Sequence, residues 1–307
     1  MLWLRDKGRL EEPEEYAARV TNDLDSSQDD LEAAFRRRVT GFAFPFGEFG
    51  HLSANYQDAS RVVENIARQI YDYTFYQTWA GEGFSSNYPV QHNRSIAIKR
   101  ISPRPDWGGA YVLDRLERGM PKDIPYVDTF KNDKGWFSTW GDYMIKNDSL
   151  SLQTNPDQTG TAVVLDGTRL WRDYSFRTEV ESPRHTGALL WVRLKDNENN
   201  AACNFGNSFV HVEEILAGKR TVIKGERSDD IVIPGGKFTM EARVSDRTLG
   251  CYLNGKMIVE SEFLDPALDE GGVGIKIWDD IVGFSSLIVH EVTVLPLNAA
   301  TSTTDES

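Results

Sequence analysis

A chain of 307 residues, 40% hydrophobic and 26% charged, has the make-up of a soluble globular protein and is long enough for two domains with separate cores. A formal net charge of −13 argues against a nucleic-acid partner, which needs clustered Lys and Arg. It does not favour an anionic polymer either, whereas a neutral or cationic one is compatible. No run approaches the roughly 18 apolar residues of a membrane span, and Met1-Leu-Trp-Leu-Arg-Asp6 lacks the basic-then-apolar pattern of a secretory signal.

Residues 13–36 read as an amphipathic helix. Pro13 suits the first turn, acidic Glu14 and Glu15 follow, and Tyr16, Val20, Leu24, Leu31 and Phe35 form a stripe. Arg36, Arg37 and Arg38 close it where cations complement the helix dipole. A short strand over 39–44 comes next, then a helix over 58–70 with Val62, Val63, Ile66 and Ile70 on one face. Strands over 71–76 and 95–101 and a short helix over 109–118, ending at Gly119, complete the segment. Helix and strand alternating at short spacing predict parallel βαβ packing, and three strands are too few for a closed barrel. Residues 1–125 are therefore expected to be an incomplete α/β segment.

A Pro-containing link over 120–125 precedes a complete change of pattern. From 128 to 296 there is no helical stripe, only strands at intervals of about 8–15 residues with Asn-Gly, Asp-Gly and Gly-Gly turns between them. Strands are predicted over 150–152, 161–165, 174–180, 188–194, 201–205, 209–214, 220–223, 238–244, 249–253, 273–278 and 286–295. That set predicts an all-β sandwich of two antiparallel sheets over 126–297. The Ser/Thr-rich stretch 298–307 reads as a disordered tail. Two cysteines are too few for a disulfide framework or a zinc cluster. Cys203 and Cys251 each fall on an apolar strand face and read as buried thiols, with a single bridge as the alternative.

Phe42-Ala-Phe-Pro-Phe-Gly-Glu-Phe-Gly50 pairs a strand end with a stiff Pro-Phe-Gly turn, a place where α/β enzymes put ligand-facing amides. With Leu2-Trp-Leu-Arg5 and Ser102-Pro-Arg-Pro-Asp-Trp107 in the same order, it resembles the second half of the NodB-type polysaccharide deacetylases. In that family a divalent metal held by one Asp and two His polarises the acetyl carbonyl and activates water. The turn amide helps to hold the oxyanion. The resemblance implies that role for the backbone of Phe46, shaped by Pro45 and Gly47, and places Asp106 and Trp107 at the family's Asp-Trp element. It also implies an extracytoplasmic location. The metal motifs are missing: there is no Asp-Asp strand end and no His-x-x-x-His, and His51, His92, His185, His211 and His290 are isolated. Ala43 stands where the family has Arg. The chain alone cannot assemble that metal site and holds no cofactor of its own. The missing N-terminal half of a deacetylase would be a partner.

The second domain resembles concanavalin/laminin-G-like jelly rolls in Trp171-Arg-Asp-Tyr-Ser-Phe176, Leu190-Trp-Val-Arg193, Leu253-Asn-Gly-Lys256 and Gly271-Gly-Val-Gly-Ile-Lys-Ile-Trp278. Period-two alternation puts Leu190, Val192 and Leu194 on one face of their strand, so Trp191 and Arg193 are expected on the other. By the same rule Lys276 and Trp278 oppose Val273, Ile275 and Ile277, and Tyr252 opposes Cys251 and Leu253. Aromatic and polar residues together suit a polysaccharide platform, because sugar C–H faces stack on rings while hydroxyls take hydrogen bonds. The alternative is that Trp191 and Trp278 are covered by the other domain or by a loop. Asp229-Asp230 and Asp279-Asp280 are solvated turn charge or, as in loops of that superfamily, calcium ligands. No glycosidase carboxylate pair, Gly-x-Ser-x-Gly elbow, P-loop or dinucleotide fingerprint occurs. The expected function is polysaccharide binding, with an amino-sugar polymer as a candidate ligand, as part of an extracytoplasmic deacetylase. A protein-interaction sandwich without a sugar site is the rival.

Overall fold

The computed structural model of the chain describes residues 1–50, 55–77, 95–100, 103–184, 186–262 and 265–297. They form two compact units, one of the residues up to Trp107 and one from Gly108 onward. No helix among the described residues is long and apolar enough to cross a membrane.

In the first unit a small hairpin, β1 (Trp3–Leu4) and β2 (Arg9–Leu10), leads into α1 (Pro13–Phe35). Pro13 occupies the first turn, and the Glu15 carboxylate takes the amide of Glu12 at 2.9 Å, an orphan donor at the helix start. Arg36 ends the helix in the left-handed conformation with φ 55°. The strands β3 (Gly41–Ala43), β4 (Tyr73–Gln77) and β5 (Ser95–Arg100) pair side by side and parallel, with α2 (Ala59–Ile70) between β3 and β4 in the chain. This is the expected βαβ connection. Tyr16 and Leu24 of α1 pack with Val63, Ile66 and Ala67 of α2 and with Phe44 and Tyr71 into one small core. Leu31 and Phe35, expected to continue the stripe of α1, are exposed instead. Past Gln28, whose amide donates to the carbonyls of Val39 and Ile70, the helix runs beyond this core.

The second unit opens with α3 (Gly109–Gly119). Its strands are β6 (Tyr126–Asp128), β7 (Trp136–Trp140), β8 (Asp142–Ile145), β9 (Leu150–Gln153), β10 (Gly160–Leu165), β11 (Tyr174–Arg184), β12 (Gly187–Asp196) and β13 (Asn199–Gly206). They continue with β14 (Phe209–Leu216), β15 (Lys219–Arg227), β16 (Phe238–Ser245), β17 (Thr248–Leu253), β18 (Lys256–Glu262), β19 (Gly272–Trp278) and β20 (Ser286–Pro296). Seven make one sheet in the order β15-β14-β13-β12-β19-β10-β7. The other runs β18-β17-β16-β11-β20-β9-β8, with β6 also on β20. All of these pairings are antiparallel, as an alternating pattern with short turns requires. The inner rows, among them Leu190, Val192, Ile275 and Ile277 facing Phe176, Met240, Val292 and Val294, form the main core.

Residues 120–125, read from sequence as a link, are held to this unit. The Lys122 amide donates to Gly167, its ammonium to the carbonyls of Arg118 and Asp166, and Trp171 Nε1 donates to the Lys122 carbonyl at 2.6 Å.

Cys203 on β13 and Cys251 on β17 are joined in a disulfide between the two sheets. The expectation of buried thiols is corrected here. Both residues were rightly placed on inner faces, but the sequence does not say that β13 and β17 meet across the core. A bridge closing a loop over 48 residues lowers the entropy of the unfolded chain by an amount worth about 4 kcal/mol. A strong reductant, or the pair C203A/C251A, is therefore expected to lower the melting temperature of the sandwich by many degrees in a calorimetric scan. A transition unmoved by reduction would contradict the bridge.

Candidate functional site

The inner rows of the seven-stranded sheet fill the core, so the alternate residues lie on its outer face, in three rungs that cross the strands. The middle rung runs Trp140, Ala162, Lys276, Leu189, Asn204, His211, Gly225. On one side of it lies Phe137, Val164, Gly274, Trp191, Ala202, Glu213, Val222, and on the other Gly160, Trp278, Gly187, Gly206, Phe209, Arg227. Large rings on this face alternate with residues that have no side chain or a single methyl.

That alternation fixes how the rings lie. A Cβ on Gly160 would collide with the Trp140 indole, and one on Gly187 with the Trp278 indole. One on Gly206 would strike the Phe209 ring, one on Gly225 the His211 imidazole, and one on Gly274 would come within 2.9 Å of Trp191 Cε3. Five rings thus rest against the main chain of glycines, a use of strand glycine that permits close approach. Phe209 and His211 also stack on each other, with centroids 4.7 Å apart. Trp140, Trp278, Phe209 and His211 stay partly exposed, and Trp191 is the buried tile at 3% exposure.

Polar groups are set among the tiles. The Lys276 ammonium lies 5.2 Å from the centroid of Trp140 and 5.6 Å from that of Trp191, within cation–π range. Burial pushes its pKa down, partly offset by Glu213. The buried Glu213 carboxylate accepts from Arg220 Nε at 3.0 Å and Asn204 Nδ2 at 3.2 Å. Burial lowers His211 below the usual imidazole value, so its ring is neutral at pH 7. Trp191 Nε1, Asn204 Oδ1 and His211 Nδ1 are buried without a hydrogen-bond partner, a costly condition within a sheet unless a ligand or water completes them.

Of the residues singled out in the sequence, Trp191, Lys276 and Trp278 come together on this face. Arg193 does not. Its strand bulges there, with φ 50° and a register shift against both neighbours, so alternation reverses and Leu194 joins Trp191 on the outer side. The Arg193 side chain, 1% exposed, turns inward and donates to Asp173 Oδ1 and the Asp246 carbonyl, each at 3.1 Å, and to the Asp269 carbonyl. Tyr252 lies on β17 of the other sheet, where the Arg243 guanidinium covers its ring at 4.0 Å. Phe46, Asp106 and Trp107 belong to the first unit. Phe46 is 82% exposed at the end of β3, its backbone left-handed with φ 56° inside a single helical turn, Pro45–Gly47. Asp106 is exposed and Trp107 half-buried.

Trp140, Asn204, Phe209, His211 and Glu213 were missed as members of a site. The signal available for them was glycine inside a predicted strand at position 274 and at the ends of predicted strands at positions 187 and 206. Among the described residues no three His, Cys, Asp or Glu side chains are grouped to hold a metal ion. The Asp279 carboxylate, weighed as a calcium ligand, accepts the Ile281 amide at 2.9 Å.

No family model matches the chain, and no curated protein does. Solved structures similar to it include the carbohydrate-binding module CBM66 from Bacillus subtilis, 16% identical over 52% of this chain and 95% of that one, with a TM-score of 0.44. A Bacillus licheniformis β-glucanase is 8% identical over 56% of this chain and 98% of its own, at 0.43. The exoplasmic/lumenal domain of VIP36, in its Ca2+/Man3GlcNAc-bound form, is 11% identical over 59% and 92%, at 0.45. Scores this low carry no inference about what this chain binds, which rests on the geometry above.

Replacing Arg193 leaves the Asp246 and Asp269 carbonyls without their donor and the space of a large buried side chain unfilled, and each buried polar group left unsatisfied costs roughly 1–3 kcal/mol. R193A is therefore expected to melt far below the parent while leaving the outer-face rings in place. A melt within a degree or two of the parent would show that the guanidinium is not buried among these carbonyls.

Proposed function

We propose that the sandwich is a polysaccharide-binding module and that the ligand lies on the outer face of the seven-stranded sheet. The observation that carries this is the paving of that face. Trp140, Trp278 and Phe209, partly exposed and seated on glycines, present flat apolar surface, with an ammonium, an amide, a carboxylate and the His211 imidazole among them. Pyranose rings offer C–H faces to stack and hydroxyls to hydrogen-bond, and this surface meets both needs. Glu213 is the one carboxylate on the three rungs, and Arg220 neutralises it. Hydrolysis of a glycosidic bond by the common route takes two carboxyls, so the face is read as binding rather than cleaving.

The finer reading assigns the first unit to part of a polysaccharide deacetylase. The exposed Phe46 turn at the end of a parallel strand supports it, while the metal ligands that family needs are not in the sequence. On that reading the catalytic half comes from another chain and the sandwich holds the polymer, an amino-sugar polymer being one candidate. An inter-sheet disulfide favours an extracytoplasmic location, because reducing compartments keep thiols open.

Titrating the chain with a panel of polysaccharides while following tryptophan fluorescence tests the proposal. W278A and W140A are each expected to weaken binding by roughly 1–2 kcal/mol, about 5- to 30-fold, and to lower the melting temperature while the sandwich stays folded. Normal binding by both variants, or binding only to proteins, would reject the platform.

A further inference from the structure

We propose, resting on the polysaccharide reading just given, that the polymer this face takes is acidic, its carboxylate or sulfate groups being met by Lys276 and Arg227. The chain as a whole carries −13, yet the three rungs carry Lys276 and Arg227 against the single carboxylate Glu213, which Arg220 of the next rung reaches. Glu213 and Arg220 cancel each other at hydrogen-bond distance, so the uncompensated charge of the paved surface is that of Lys276 and Arg227. Neither has a carboxylate within ion-pair distance among the described residues.

Lys276 makes the case sharper. Its ammonium stands over Trp140 and Trp191, beside Trp278 on the same strand, and is already partly withdrawn from water. A neutral sugar stacked on Trp140 or Trp278 would cover that ammonium further and supply no counter-charge, and burying an unpaired cation is costly. An acidic sugar in the same place supplies the anion, with a charge-assisted hydrogen bond of the stronger kind.

Arg227 lies at the far end of the adjacent rung, opposite Phe209. Four strand spacings separate β19 from β15, which is about 19 Å. A single acidic sugar does not span that distance, so two cations so placed fit a polymer with repeated charges. The net negative charge of the protein opposes this only at long range. Beyond a Debye length of about 8 Å at physiological salt it is largely screened, so the local cations decide.

The test uses the full chain and matched polymers in one fluorescence titration: polygalacturonate against its methyl ester, dextran sulfate against dextran, and laminarin as a further neutral glucan. The expected result is at least tenfold tighter binding to one acidic member than to its neutral counterpart, with the gap narrowing as salt rises. Preference for polygalacturonate alone assigns a carboxylate, and preference for dextran sulfate alone a sulfate. K276M should lose most of the preference while keeping its melting temperature. R227Q, at an exposed position where folding is not at stake, should lose several-fold of it. Equal or tighter binding to the neutral members, or a preference untouched by both variants, would overturn the acidic inference and leave the polysaccharide reading standing. Binding to no polymer by a folded chain would overturn both.

Discussion

An indole ring can rest against the main chain of a β-sheet only where the neighbouring strand offers no Cβ. On the outer face of the seven-stranded sheet that condition is met repeatedly, with Trp140 over Gly160, Trp278 over Gly187 and Trp191 over Gly274. Glycine inside a strand weakens it, because it brings backbone entropy and nothing to pack. Here each ring restores the missing contact, so the cost of the glycine is offset by the tile that covers it. Both the stability of this face and its flatness follow from that exchange, as does the position of Lys276 among the indoles.

The interior is organised by a different constraint. Alternation in β12 runs regularly through Val192 and then breaks, and the bulge sends Arg193 into the protein, where carbonyls of two other segments and Asp173 receive it. The main chain of Gly271 approaches Arg193 so closely that a Cβ there would collide with its carbonyl carbon. Beyond the bulge Leu194 takes the outer side and completes the apolar patch around Trp191. One reversed residue thus serves the inner network and the outer floor at once. The Cys203–Cys251 bridge joins the two sheets nearby, from the inner rows of β13 and β17.

Much of this architecture was legible. The helices α1, α2 and α3 and the parallel order of β3, β4 and β5 follow from apolar spacing and turn residues, and eleven sandwich strands from period two. Four strands of the sandwich were not read, nor was the short β1–β2 hairpin. In β7, Trp136-Phe-Ser-Thr-Trp140 sits between two glycines and pairs across a register shift, so its alternation is broken where it is needed. In β18 and β8 the apolar positions are few, and β6 is only three residues long. Missing β7 meant missing Trp140. Period two placed Trp191, Lys276 and Trp278 on one face but carried Arg193 with them, because a bulge has no mark in local sequence. Tyr252 followed the same rule correctly, yet on the other sheet, since alternation gives a face and not a sheet. The pairing of Cys203 with Cys251 is likewise a fact of cross-core proximity that no local pattern encodes.

The most direct test of the account is the smallest possible change to a ring seat. G187A adds one methyl, which would collide with Trp278 Nε1 and come within 2.7 Å of Asn204 Oδ1, so the indole must lift. Affinity of this variant for the best-bound polysaccharide, measured by isothermal titration beside a melting curve, is expected to fall at least tenfold while the sandwich stays folded. A folded G187A protein that binds as tightly as the parent would show that the seated rings are not what holds the ligand.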